Sequence, residues 1–129
     1  MLAQDVKMIT PDLPVMDMGR ARAFYEEVLG FSPASSSKSG VMYQLGATGG
    51  LYLYSRSATR ADHTEASFLV DDLEKEVQDL RGRGVEFEEY DMPGMGIKTV
   101  NGIATMEDGK AAWFRDTEGN ILSLNQHLG

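Results

Sequence analysis

The chain has 129 residues, 42% of them hydrophobic and 25% charged, which suits one compact domain with a real core. Its net charge of −8 at pH 7 argues against a nucleic-acid partner, and zero cysteines excludes thiol nucleophiles, disulfides and zinc–thiolate sites. No apolar run reaches the roughly 18 residues that a membrane span needs, and "MLAQDVKMITPDLPV" lacks the basic start and apolar core of a signal peptide, so a cytoplasmic location is expected.

Residues 7–15, "KMITPDLPV", alternate and predict a half-buried strand. Ile9, Leu13 and Val15 share one side; Thr10 and Asp12 share the other. Asp17 then stands where a helix N-cap belongs, since its carboxylate can accept an orphan backbone N–H. Residues 18–29 follow at helical spacing, with Met18, Ala21, Tyr25, Val28 and Leu29 as the apolar stripe and Phe24 beside it. Gly30 is the expected stop. "FSPASSSKSG" reads as a turn-rich loop, "VMYQL" (41–45) and "LYLY" (51–54) as strands, and "SRSATRADHT" as a polar connector in which Arg56 and Arg60 are solvated.

The order then repeats. "EASFLV" (65–70) is a predicted strand with Glu65, Ser67 and Leu69 on one side. Asp72 caps a second helix whose stripe is Leu73, Val77 and Leu80, closed by Gly82 and Gly84. "VEFEEY" (85–90) reads as a strand with Val85 and Phe87 toward the helix. "DMPGMGIKTVNG" reads as a long loop, with Met92 and Met95 available as an adaptable apolar cover. "IATMED", "AAWFRD" and "NILSLNQ" supply the last strands. "VMDMGRARAFYEEVLGF" lies over "VDDLEKEVQDLRGRGVEF" with Asp17 on Asp72, an internal duplication. The expectation is a single domain, 1–129, of two repeated modules at about 7–55 and 65–127.

"DMGRARAFYEEVLGF" and "AAWFRDTEGNILSL" resemble the signatures of the vicinal oxygen chelate superfamily: glyoxalases, bleomycin-resistance proteins and ring-cleaving dioxygenases. The resemblance runs from about Met8 to about Gln126. It implies an α+β fold, two βαβββ modules forming a cup-shaped mixed sheet with helices outside, and a homodimer. In metal-using members, four side chains from the first and last strand of each module ligate one divalent ion. Counted from the helix signatures, those positions fall here at Thr10, at Tyr52 or Leu53, at Glu65, and at Ser123. Glu65 alone is an ordinary ligand; hydroxyls are weak neutral donors.

The sequence therefore points to a small-molecule-binding protein that needs no metal, with its ligand in the cup between modules. Its expected ligand-binding residues are Thr10, Asp12, Tyr52, Glu65, Ser67, Trp113, Ser123 and Asn125, with Tyr43 and Tyr54 as further aromatics near the site. The alternative is a lyase, isomerase or dioxygenase of the same superfamily. It would hold one divalent ion through His63 and Glu65, helped by Asp62 or His127, or use Glu65 as a catalytic base. The acidic charge favours a cationic ligand. No cofactor, nucleic acid or membrane is expected as a partner.

Overall fold

The computed structural model describes residues 1–127 and divides the chain into two compact units, Met1–Arg60 and a second that begins at Ala61. The first unit opens with a four-residue helix, α1 (Leu2–Asp5), which buries nothing. Strand β1 (Asp12–Val15) follows, shorter than its alternation predicts, because Ile9 is 82% exposed and Leu13 and Val15 alone are buried. Asp17 caps α2 (Met18–Ala23) by accepting the Arg20 N–H at 3.0 Å. The predicted helix does not continue uniformly to Leu29. Phe24–Val28 widens into a π-helical turn, and Gly30 then takes φ +80°, the left-handed geometry that glycine enters cheaply.

Strands β2 (Pro33–Ser36), β3 (Gly40–Leu45) and β4 (Gly49–Ser55) complete a sheet in the order β1-β4-β3-β2, with β1 parallel to β4. The stretch expected as a loop at 31–40 thus contains a strand. Its composition hides it, but Pro33 is tolerated as the first residue of an edge strand. Register sets Leu13 on Leu53 and Tyr43 on Leu51, so one face carries Leu13, Val15, Val41, Tyr43, Leu51 and Leu53, all buried. Tyr25 stacks on Tyr43 with ring centroids 6.0 Å apart, and Phe31 meets both rings.

The Tyr43 hydroxyl donates to Glu26 Oε2 at 2.8 Å, and Arg22 Nε donates to the same oxygen. The Arg22 bond holds the Glu26 carboxyl below its ordinary range, and burial pushes the Tyr43 phenol up. A depressed folded pKa means that the unfolded chain binds protons first as pH falls. Glu26 therefore contributes stability at neutral pH and loses it as pH drops below its ordinary value of 4.5. Replacing Glu26 with Gln is expected to flatten the acid limb of the stability profile, read by urea denaturation at pH 3.5 and pH 7. An unchanged pH slope would remove this role.

The second unit repeats the plan. Strand β5 (Thr64–Leu69) leads to Asp72, which accepts the Lys75 N–H at 3.2 Å and caps α3 (Leu73–Gly82). Leu73, Val77 and Leu80 are buried, as their spacing predicts. Strands β6 (Asp91–Met92), β7 (Ile97–Val100), β8 (Ile103–Met106), β9 (Gly109–Arg115) and β10 (Ile121–His127) give a sheet ordered β5-β10-β9-β8-β7-β6, with β5 parallel to β10.

Two expectations change here. "VEFEEY" is not a strand; it makes one bridge, Phe87 to Phe114, and one bond from Glu88 N to the Trp113 carbonyl. The edge of β9 is already taken at Ala111, Lys110 and Gly109 by β8, so 85–90 shares only its far end. The predicted loop at 91–102 is instead two strands around a 3-10 turn at Pro93–Met95, with the β7–β8 hairpin turning at Asn101 and Gly102. Val85 and Phe87 do lie on the helix side, where Phe87 meets Phe114 edge-on at 5.6 Å.

Candidate functional site

In the first unit, the sheet face away from α2 carries Asp12, Pro14, Met42, Tyr52 and Tyr54, because Asp12 pairs with Tyr52 and Met42 with Tyr52. Tyr43 belongs to the opposite face, so its expected place near the site is corrected by strand register. Thr10 precedes β1 and donates its hydroxyl to Asp12 Oδ1 at 3.0 Å. Tyr52 and Thr10 are half-buried and Asp12 is exposed.

In the second unit, Gln126 accepts the Leu73 N–H and Lys110 pairs with Glu74, which fixes the helix side of β10 and β9. Residues 121, 123 and 125 therefore face the other way. Ser123 lies between Ser67 on β5 and Trp113 on β9, a row across three adjacent strands. Ser123 is 2% exposed, with its Oγ 2.7 Å from Ser67 Oγ and 2.9 Å from the donating Asn125 Nδ2. Trp113 is half-buried and meets Tyr90 edge-on at 5.3 Å. At the end of this face, Arg115 pairs with Glu88 at 2.7 Å and reaches the carbonyls of Ala61 and Gly119.

Glu65 stands apart. Thr64 pairs with Ile121 and Ala66 with Leu122, so Glu65 is an extra residue in the parallel ladder, a bulge. Its Oε2 is buried with no hydrogen-bond partner. Burial raises the Glu65 pKa, the charge of Asp116 raises it further, and His63 works against both. His63 itself is 71% exposed and bonds Asp62 at 2.8 Å.

The turn between β9 and β10 is built around Asp116. Oδ1 accepts the Glu118 and Asn120 N–H groups at 2.7 and 2.9 Å, and Oδ2 accepts Asn120 Nδ2 at 2.8 Å. This turn sets the direction in which β10 delivers Ser123.

The sequence profile of the Glyoxalase/Bleomycin resistance protein/Dioxygenase superfamily matches residues 6–124. The chain belongs to that superfamily. No curated protein matches the chain. Among solved structures, the superfamily member is similar to the antibiotic binding protein TnmS3 from Streptomyces sp. CB03234, at 23% identity and TM-score 0.72, over 95% of this chain and 97% of that one. It is similar to a glyoxalase/bleomycin resistance protein from the same strain, at 25% identity and TM-score 0.66, over 91% and 97% of the two chains. A third likeness is to a glyoxalase/bleomycin resistance protein from Catenulispora acidiphila DSM 44928, at 22% identity and TM-score 0.65, over 95% and 100%. These likenesses confirm the α+β fold read from the sequence.

The resemblance assigns the metal-ligand positions to Thr10, to Tyr52 or Leu53, to Glu65 and to Ser123. Thr10 is engaged by Asp12, and Ser123 by Ser67 and Asn125; both are neutral hydroxyls. Among the described residues, no three His, Cys, Asp or Glu side chains gather as a metal-binding group, and no helix is long and apolar enough to cross a membrane. His63 is exposed beside Asp62, and His127 is exposed at the end of β10. Sequence reading missed three features: the bulge at Glu65, the Tyr90–Trp113 contact and the Arg115–Glu88 pair. The period-two pattern of "VEFEEY", which sets Glu88 and Tyr90 on one side, was the available signal for the last two.

Proposed function

We propose that this protein binds a small organic molecule, takes up no metal ion to do so, and acts as a homodimer. In the second unit the ligand is expected to touch Glu65, Ser67, Trp113, Ser123 and Asn125; Thr10, Asp12 and Tyr52 are the candidate contacts that the first unit offers by itself. The observation that carries this reading is the Ser123 hydroxyl, which is committed to Ser67 and Asn125 at the position that the resemblance assigns to a metal ligand. The likeness to TnmS3, an antibiotic binding protein, supports it.

The test has three parts. Elemental analysis of purified protein is expected to find far less than one divalent ion per chain, with no loss of Tm on chelation. A thermal-shift panel of aromatic antibiotics and α-keto compounds is expected to give upward shifts with the antibiotics, because a ligand that binds only the folded state at 100 times Kd adds about 2.7 kcal/mol. Sedimentation is expected to give a dimer. One tightly held ion per chain, with lower Tm after chelation, would replace this reading with a metalloenzyme.

A second reading rests on the buried, unpartnered oxygen of Glu65 with its raised pKa, which fits a general base in metal-free proton transfer. Hydrogen–deuterium exchange into α-keto compounds, abolished by Glu65→Gln, would establish it.

A further inference from the structure

Glu65 Oε2 has no partner, and a buried polar atom without one is rare enough to need a cause. Glu65 is the bulge residue of β5, at the cost of a ladder position. Among the described residues no cation hydrogen-bonds this oxygen, although the exposed His63 acts on it through space. Arg115 is committed to Glu88 and two carbonyls, His63 is turned to Asp62, and Asp116 adds negative charge nearby.

Two residues further along β5, Ser67 belongs to a polar row with a spare donor. Ser123 Oγ accepts the Asn125 N–H, so it can donate its own proton to Ser67. Ser67, which is exposed, then keeps its hydroxyl hydrogen and a lone pair for an outside group. Across Ser123 stands the half-buried Trp113 ring, an aromatic face of the kind that attracts a positive charge. The chain as a whole carries −8, which draws cations to it.

We propose that the second unit binds the ammonium or amidinium end of an organic cation, with Glu65 as counter-ion, Ser67 as hydrogen-bond partner and Trp113 as aromatic wall. This rests on the small-molecule reading above and names the ligand's class. The geometry asks for an N–H donor, since Oε2 needs a hydrogen bond as well as a charge. A quaternary ammonium, which has no N–H, fits less well.

Trp113 is the only tryptophan, so its fluorescence reports this face directly. Benzylamine, phenethylamine and benzamidine are titrated into the protein, each amine beside its alcohol and its trimethylammonium counterpart, with Tm as a second readout. The N–H cations are expected to bind about tenfold tighter than the alcohols, the gain a charge-assisted hydrogen bond gives, with the quaternary compounds between. In Glu65→Gln, checked for folding by circular dichroism, amines and alcohols are expected to bind alike. Ser67→Ala, an exposed position, is expected to weaken the amines alone by about threefold, from one lost neutral hydrogen bond. Alcohols binding as well as amines, or amines unaffected by Glu65→Gln, would overturn the proposal and leave the small-molecule reading intact. Absence of any amine binding, with antibiotic shifts still present, would also overturn it alone. Silence in both panels would remove both readings.

Discussion

Truncating Tyr25 to Ala is expected to lower stability by about 4 kcal/mol, as buried aromatic-to-alanine changes do. For a chain of this size that corresponds to a fall in Tm of about 15 °C. Tyr25 has no exposed surface. Its ring stands at the centre of a cluster with Phe24, Phe31 and Tyr43, at centroid separations of 5.4, 6.1 and 6.0 Å. Phe24 and Tyr25 sit edge-on, an arrangement that adds to area burial. The cavity left by Ala would be bounded by the sheet, which cannot collapse without breaking its ladder. Tyr25→Phe keeps the ring and is expected to cost about 1 kcal/mol. Thermal and urea denaturation of both variants checks this. A loss below about 1 kcal/mol for Tyr25→Ala would mean that the cluster does not hold α2 to its sheet.

The second large effect is expected at Asp116. Three donors converge on its buried carboxylate, and Asp116→Ala would take that shared acceptor from all of them. The expected loss is about 3 kcal/mol, since each orphaned buried donor costs on the order of 1 kcal/mol or more. Asp116→Asn separates the parts of this cost. One amide oxygen can still serve the Glu118 and Asn120 N–H groups, but its amide nitrogen then confronts Asn120 Nδ2, donor against donor. A loss of about 2 kcal/mol is expected, between wild type and Ala. Removing the Asp116 charge also removes one cause of the raised Glu65 pKa, so the Glu65 carboxyl is expected to titrate lower in Asp116→Asn. Carboxyl-labelled NMR reads that directly. An unmoved Glu65 resonance would show the two groups to be electrostatically independent.

Much of the fold could be read in the residues because local signals agreed with each other. Asp17 and Asp72 are caps in fact, and the stripe Leu73, Val77, Leu80 is buried as spaced. In each unit the first strand lies parallel to the last, β1 to β4 and β5 to β10. Legibility failed where a neighbour decided the outcome. "PASS" has poor strand propensity and becomes β2 because β3 offers it an edge. "VEFEEY" has good strand propensity and is left with a single bridge because β8 holds that edge. Of the site, period two set Ser123 and Asn125 on one side of β10; that Ser67 and Trp113 share that face comes from register. The misplaced Tyr43 shows the limit: alternation says which residues share a face, but only register says which face meets the partner strand's Tyr52. A bulge is invisible to alternation, since it is defined by what the adjacent strand skips, and Glu65 is such a residue.

The two parallel pairings also set an order of assembly. Ser67 and Ser123 meet across 56 residues of sequence, while β8, β9 and β10 join through tight reversals. Closing a short loop takes well under a microsecond, whereas distant pairing must await the collapse of everything between. The antiparallel meander is thus the expected nucleus of the second unit, with β5 expected to join last and to bring its irregular Glu65 with it. Kinetic barriers there should be felt mainly during refolding of the completed sheet's outer margin. The carboxylate held without a mate then enters its place only after the rest of the framework is rigid enough to hold it.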